Sequence, residues 1–463
     1  MTGKGQAELL SKSSEVETIE TESLGNRGYL VHDNKIAIAI DVQRDYERWI
    51  DRAKQAGVTI THVFETHMHN DYLTGGYQLA KQIGAVYVVP IDSGIKFQAK
   101  EIADNEKIFA GNLKITGIFT PGHTDRHMSY MVQGENLDCI FTGGSLLYGT
   151  VGRTDLLGET KTLQLTEAQY ESAHHLANTL RDDTAVFPTH GFGSFCSSTE
   201  GSGENTSTML SEKQINIVFN AKTREEFIKT IISGLGPYPS YYRHMGSINQ
   251  NGPQPVPSIH IHDYPIKEIS QYLTARNVWV VDTRQRLLFA ANHPKGAVNF
   301  ELGDSFTTYV GWLLPWSDKL ILAGDSNQDL IDAYRDLSRI GMESFVDGAI
   351  SNQGDYLNAS QKTSYPVVSF KTLSQKLNEK PFILDVRLLS DWDNSHINQS
   401  TNIPLHKLTA RSKELAKDRD IWVHCAGGYR ASIAASLLDK LGFSPILIND
   451  DFQTAVTLGL TNK

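Results

Sequence analysis

The sequence predicts an α/β protein of several domains, on three observations. Short β-branched runs alternate with helical stretches through the first half, a proline-rich break lies near residue 250, and a unit of about 100 residues repeats beyond it. A chain of 463 residues is too long for one hydrophobic core and implies roughly two to four domains. In the front half GYLVHD, KIAIAIDV, ITHVFET and AVYVVP read as strands, because β-branched and aromatic residues fill short runs. DYERWIDRAKQAG and TGGYQLAKQIG read as helices closed by Gly57 and Gly84 as C-caps. NLKITGIFTPG, HMSYMVQG, LDCIFTGG and TAVFPTHG add strands, and residues 166–181 a helix. This succession fits a layered mixed domain over residues 1–245. Pro237, Pro239, Pro253, Pro255 and Pro257 stiffen the chain around a linker placed at 246–257.

Beyond the linker, WVVDTR recurs as FILDVR. Asp282 and Asp385 are each followed eleven residues later by a histidine, His293 and His396, and seventeen later by an asparagine, Asn299 and Asn402. Gly341 and Gly442 repeat at an offset of 101 rather than 103, so a two-residue gap intervenes. A duplicated module is the reading, over 258–360 and 361–463. Its strand–loop–strand–helix order favours a small parallel sheet.

Composition narrows the function classes. With 43 basic and 53 acidic residues the net charge is −10, which disfavours a nucleic-acid partner. No apolar run reaches the roughly 18 residues of a membrane span, and the polar N-terminus lacks the apolar core of a secretory signal. Three cysteines cannot build a disulfide framework, so a cytoplasmic protein with reduced thiols is expected.

Two constellations carry chemistry. THMHNDY places His67, His69 and Asp71 directly after the strand ITHVFET, and two imidazoles at i and i+2 on a strand end can point the same way. TPGHTDRH adds His123 and His127, and FPTHG adds His190, each after another strand. Histidines and carboxylates converging at strand-end loops are how a metal is held in an open site. Arg153 either meets an anionic substrate or locks Asp155; Cys139, inside LDCIF, reads as a buried small hydrophobe; Cys196 precedes a Ser/Gly/Thr-rich loop.

These motifs, with Phe141–Gly143, resemble the metallo-β-lactamase superfamily, and VGRTDL and HGFGSFC narrow the resemblance to its persulfide dioxygenase branch. The resemblance implies an αββα sandwich and a mononuclear Fe(II) held by two histidines, His67 and His123, and an aspartate. It also implies a sulfur-carrying role for Cys196. Two departures stand out. Tyr72 occupies the place of a second-site histidine in two-metal members, and Gly144 replaces the aspartate ligand, leaving the 2-His-1-carboxylate set incomplete. His69, Asp71, His127 or His190 could substitute, zinc is an alternative metal, and a metal-free pocket another. If the pocket is otherwise intact, Gly144→Asp should raise iron retention.

The second constellation is IWVHCAGGYRASIAASLLDKLG. A strand delivers Cys425, the glycines let the loop curl its amides inward, and a helix N-terminus with Arg430 adds positive charge; all favour the thiolate. Cys425, Gly428 and Arg430 form the C-x-x-G-x-R loop, and DVRLLSDWDNSHINQSTNIPL the upstream signature, by which this segment resembles the rhodanese sulfurtransferases. The six-residue loop disfavours the related phosphatases, whose loop holds one residue more. In the first copy Gly324 stands opposite Cys425 and Asp329 opposite Arg430, so that copy resembles an inactive rhodanese repeat. The order of modules implies a persulfide dioxygenase–sulfurtransferase acting on a low-molecular-weight thiol persulfide or thiosulfate, and a homo-oligomer. The alternatives are a sulfurtransferase with a metal-free, persulfide-binding front, a zinc thioester hydrolase of the glyoxalase II type, and a sensing scaffold.

Overall fold

The computed structural model describes residues 15–462 except 34, 192, 263 and 351. The polar N-terminal stretch through residue 14, and Phe192 within HGFGSFC, lie outside the described residues. Two compact units divide between Pro255 and Val256, with Arg339–Gly341 grouped with the first.

The first unit is built on two six-stranded sheets. One runs in chain order through Glu15–Thr21, Asn26–His32, Ile36–Ile40, Thr59–Phe64, Val86–Pro90 and Lys100–Ile102, antiparallel for the first three strands and parallel thereafter. The other contains Lys107–Ala110, Leu113–Phe119, Met128–Gly134, Leu137–Gly143, Ala185–Pro188 and Ser207–Thr208. Their inner faces meet in a core of Tyr29, Val31, Ile38, Ile40, Phe64, Ile115, Tyr130, Val132 and Phe141. Cys139 is part of that core, as its apolar strand implied. Glu47–Ala56 and Gly76–Ile83 cover the outside of the first sheet through Trp49, Ala53, Leu79 and Ala80. Glu159–Thr179 and Arg224–Gly234 cover the second through Ala173, Leu176, Phe227 and Ile231. The layers are therefore helix, sheet, sheet, helix. Gly57 and Gly84 close their helices in the left-handed region, φ 72° and 73°.

The boundary expected at 245 cuts a helix. Tyr242–Asn251 is helical, and its buried Asn249 donates to the carbonyls of His69 and Tyr72, both at 2.9 Å. The prolines flank this helix at 237–239 and 253–257 instead of interrupting it, so they do not break it.

The second unit holds two five-stranded parallel sheets of the same strand order. The first runs Ile261–His262, Val346–Ile350, Lys319–Ala323, Val278–Asp282 and Val298–Asn299. The second runs Val367–Val368, Ser444–Ile448, Asp420–His424, Phe382–Asp385 and Thr401–Asn402. Asp282 pairs with Ala323 in the first and Asp385 with His424 in the second, so the offset of 103 becomes 101 across one pair of strands. Among the described residues no helix is long and apolar enough to cross a membrane.

Candidate functional site

All five expected metal-site residues come together in the first unit, and all are buried. His67, His69 and Asp71 follow the strand Thr59–Phe64; His123 lies between Leu113–Phe119 and Met128–Gly134; His190 follows Ala185–Pro188. His67, His123 and His190 offer ring nitrogens within 4.8 Å of one another, and His69, Asp71 and His190 form an overlapping set. His67 Nε2 and His190 Nε2 are 3.3 Å apart. Burial holds the imidazoles of His67 and His123 well below the usual histidine range, so both are neutral bases.

Three buried atoms here lack a hydrogen-bond partner: His69 Nδ1, Asp71 Oδ1 and His123 Nε2. Each such atom costs about 1–3 kcal/mol when left unpaired. The neutral imidazoles of His67 and His123 offer ring nitrogens beside His190, a donor set that a single divalent cation satisfies, so the residues present fit a metal.

The opposite edges of these side chains are fixed by a second layer that sequence motifs do not mark. His69 Nε2 lies 3.2 Å from Asp41 Oδ1 and 3.2 Å from Glu65 Oε2. Burial pushes this imidazole down, but the two carboxylates outweigh it and hold it up at about 10. Asp41 also accepts from the Thr66 amide and hydroxyl, each at 2.8 Å, and from the Thr189 hydroxyl. Asn26 donates to Asp71 Oδ2 at 2.8 Å, and its Oδ1 sits 3.0 Å from His190 Nδ1. His123 Nδ1 donates to the Arg153 carbonyl at 2.8 Å, which fixes the tautomer that leaves Nε2 a lone pair. Outer partners of this kind orient metal-binding imidazoles. Asp41, Glu65 and Asn26 were not read from the sequence; the only signal was an acidic residue at the end of each of two apolar strands.

Other candidates fall away for stated reasons. His127 Nδ1 meets Thr120 Oγ1 and its Nε2 accepts the Gly144 amide, both at 3.0 Å, so neither nitrogen is free to ligate. Arg153 takes the locking role: it donates to both Asp155 oxygens at 2.7 and 2.8 Å and to the carbonyls of Phe195 and Gly236. Cys196 is fully buried, burial pushes its thiol well up, and its Sγ lies 3.8 Å from the Tyr242 hydroxyl. That geometry describes an enclosed thiol and does not support the sulfur-carrying role expected of it. Tyr72 stacks on His69 with ring centroids 4.3 Å apart.

Gly144 corrects a further expectation. A Cβ there would stand 2.2 Å from His123 Cδ2 and 2.5 Å from its Cγ. The imidazole occupies the space a side chain at 144 needs, so Gly144→Asp meets a clash before it can supply a ligand.

In the second unit, the strand Asp420–His424 ends at Cys425 and the helix Tyr429–Lys440 begins four residues later. The Gly428 amide donates to Cys425 Sγ at 3.1 Å. Gly428 has φ 92°, and a Cβ would come 2.0 Å from Asn449 Oδ1, so only glycine lets that amide turn to the sulfur. Arg430 Nη1 is 3.4 Å from Asp391 Oδ2. Cys425 and Gly428 thus share one loop and Arg430 stands in the first turn of the helix that follows, an arrangement that can hold a sulfur nucleophile at the N-terminus of a helix carrying a cation.

Comparison with known proteins gives two family matches: the metallo-beta-lactamase superfamily over residues 39–190, and the rhodanese-like domain over residues 369–453. A hydroxyacylglutathione hydrolase of Dictyostelium discoideum is 30% identical over 174 residues, 36% of this chain and 62% of the relative. The chain therefore spans less than two thirds of that relative's length. The human mitochondrial persulfide dioxygenase ETHE1 is 28% identical over 258 residues, covering 55% of this chain and 87% of the human protein. A crystal structure of a metallo-beta-lactamase from Staphylococcus aureus subsp. aureus COL superposes with a TM-score of 0.65 at 26% identity, over 74% of this chain and 100% of that one.

Proposed function

The chain is a fusion of a metallo-β-lactamase superfamily domain with a C-terminal rhodanese domain, and from this we infer that it processes sulfane sulfur at two sites. In the first unit a low-molecular-weight thiol persulfide is oxidised by O₂ to sulfite: RSSH + O₂ + H₂O → RSH + SO₃²⁻ + 2H⁺. In the second, Cys425 takes a sulfane sulfur as a persulfide and passes it to an acceptor; with sulfite as acceptor the product is thiosulfate.

The observation that carries the front half is the buried triad His67, His123 and His190, whose ring nitrogens lie within 4.8 Å of one another and in which His123 Nε2 has no hydrogen-bond partner. We assign His67, His123 and His190 as the holders of the metal, with His69 and Asp71 completing the wall. His190 thereby supplies the third contact that Gly144 cannot. A bound ferrous ion would supply O₂ activation, whereas zinc would polarise a thioester carbonyl. The chain's own residues orient and enclose. Asp41 and Glu65 fix His69, Asn26 fixes both Asp71 and His190, and complete burial of the ring nitrogens keeps bulk water from them. A cleft of about 280 Å³ lined by Tyr148, His190, Gly191 and Asn205 reaches one of these residues and gives a thiol carrier room.

Protein purified without oxygen should carry about one equivalent of metal, and His190→Ala should lose most of it. With iron bound it should consume O₂ when given glutathione persulfide. Absence of metal and of O₂ uptake overturns the dioxygenase reading and leaves a persulfide-binding front domain. Stoichiometric zinc with thioester turnover replaces it with the hydrolase.

A further inference from the structure

The module without a cysteine faces the loop that has one. Its helix Phe306–Leu313 carries Tyr309 and Trp312, spaced i and i+3 and so on one face. The Trp312 ring stacks on His406 of the following module with centroids 5.1 Å apart, and the Tyr309 ring lies 5.9 Å from that of Tyr429, the residue between Gly428 and Arg430. Tyr429 in turn donates from its hydroxyl to the Glu301 carbonyl at 2.9 Å, and the Asn299 amide donates to Ser436 Oγ at 3.0 Å. These contacts pin the helix bearing Tyr309 beside the Cys425 loop. The Tyr309 hydroxyl makes no hydrogen bond among the described residues, although its ring is half-buried. Its ring against Tyr429 places the phenol at the edge of the Cys425 loop; burial raises its pKa, Arg430 opposes that rise, and Cys425 and Asp391 add to it. A protonated phenol and a guanidinium at one loop are the donors from which an oxyanion-binding pair is built.

We propose that Tyr309 and Arg430 together bind the sulfonate oxygens of an anionic sulfane-sulfur donor of the thiosulfate class, so that the cysteine-free module supplies part of the donor site of its neighbour. This rests on Cys425 being the sulfur acceptor. The Cys425 thiolate attacks the outer sulfur of S–SO₃²⁻, a Cys–S–S⁻ bond forms, and the S–S bond of thiosulfate breaks with its electron pair leaving on sulfite. Cyanide then takes the outer sulfur as thiocyanate and returns the thiolate. Tyr309 donates to an oxygen present in thiosulfate and in departing sulfite, and absent from a thiol persulfide. It therefore selects between donors.

The test is Tyr309→Phe, which keeps the ring and removes only the hydroxyl, assayed as thiocyanate formation in the full-length protein with two donors. With thiosulfate, KM should rise roughly tenfold, the loss of one hydrogen bond to a charged group. With glutathione persulfide, KM should stay within about twofold of wild type. An unchanged thiosulfate KM overturns the proposal while leaving Cys425 in its role. An equal loss for both donors overturns it as well, since that marks Tyr309 as a packing residue. Wild-type protein that forms thiocyanate from neither donor would bring down the assignment of Cys425 and this inference with it.

Discussion

Asp282 and Asp385 do the same work in the two modules of the second unit. Each accepts from the Nε and Nη2 of an arginine two residues on, Arg284 or Arg387, at 2.6–3.1 Å, and that arginine also donates to a backbone carbonyl eight residues further, Asn292 or Ser395. Asn299 and Asn402 donate to the carbonyls of the aspartate and arginine in their own module. His293 stacks on Phe289 and His396 on Trp392, at 3.9 and 3.8 Å. The residues that repeat are thus scaffold, and the modules part company at one strand end. There Cys425 takes the Gly428 amide, whereas a Cβ on Gly324 would stand 2.6 Å from Thr283 Oγ1. The two modules share the frame and differ in the nucleophile and in the room for it.

That contrast can be broken most directly by exchanging the two positions. Cys425→Ser should lower thiocyanate formation about a thousandfold or more, because the reaction has no other nucleophile. Gly324→Cys in the same background should restore none of it, since Thr283 crowds the site and Asp329 stands where the matching arginine would. Recovered turnover in the double variant would refute the idea that the first module is closed to chemistry. A second test concerns the shared frame. Asp282→Ala and Asp385→Ala each leave a buried guanidinium uncompensated, and each should cost about 3–5 kcal/mol in denaturant unfolding. Losses confined to one module would show that the clamps are not equivalent.

The smallest expected effect is on pH dependence. Burial holds His424 below its ordinary 6.5, and its Nε2 lies 3.7 Å from Asp385 Oδ2; the first module has Ala323 at that register. The unfolded chain therefore takes up the proton before the folded one, so this contribution to stability is full above about pH 6.5 and declines on acidification below it. His424→Ala should reduce the fall in Tm between pH 7.5 and 5.5 by about 2–4 °C, read by calorimetry on the full chain. Parallel curves for variant and wild type would remove His424 as a source of acid sensitivity.

Much of this was legible because it is local. Strands announce themselves through β-branched runs, and His67, His69, Asp71, His123 and His190 through short motifs at strand ends. Cys425, Gly428 and Arg430 lie within six residues of each other. What escaped is non-local. Asp41, Glu65 and Asn26 fasten the histidines from strands whose sequences carry no motif of their own, and Tyr309 reaches the Cys425 loop only once two modules have packed. The repeat itself was visible, but its role as frame shows only once the aspartates are seen to accept from arginines and the histidines and asparagines to meet main-chain carbonyls. The misplaced boundary at 245 has the same origin: proline spacing is visible in a sequence, but the burial of Asn249 that anchors the helix is not.

The fit of the His123 ring against Gly144 also couples two positions that sequence keeps apart. The imidazole fills the space that a side chain at 144 would need, so no substitution at 144 alone delivers a carboxylate there. Such a side chain would need the ring to retreat first, at the expense of its bond to the Arg153 carbonyl. A carboxylate at 144 therefore requires a second change that gives the ring somewhere to go.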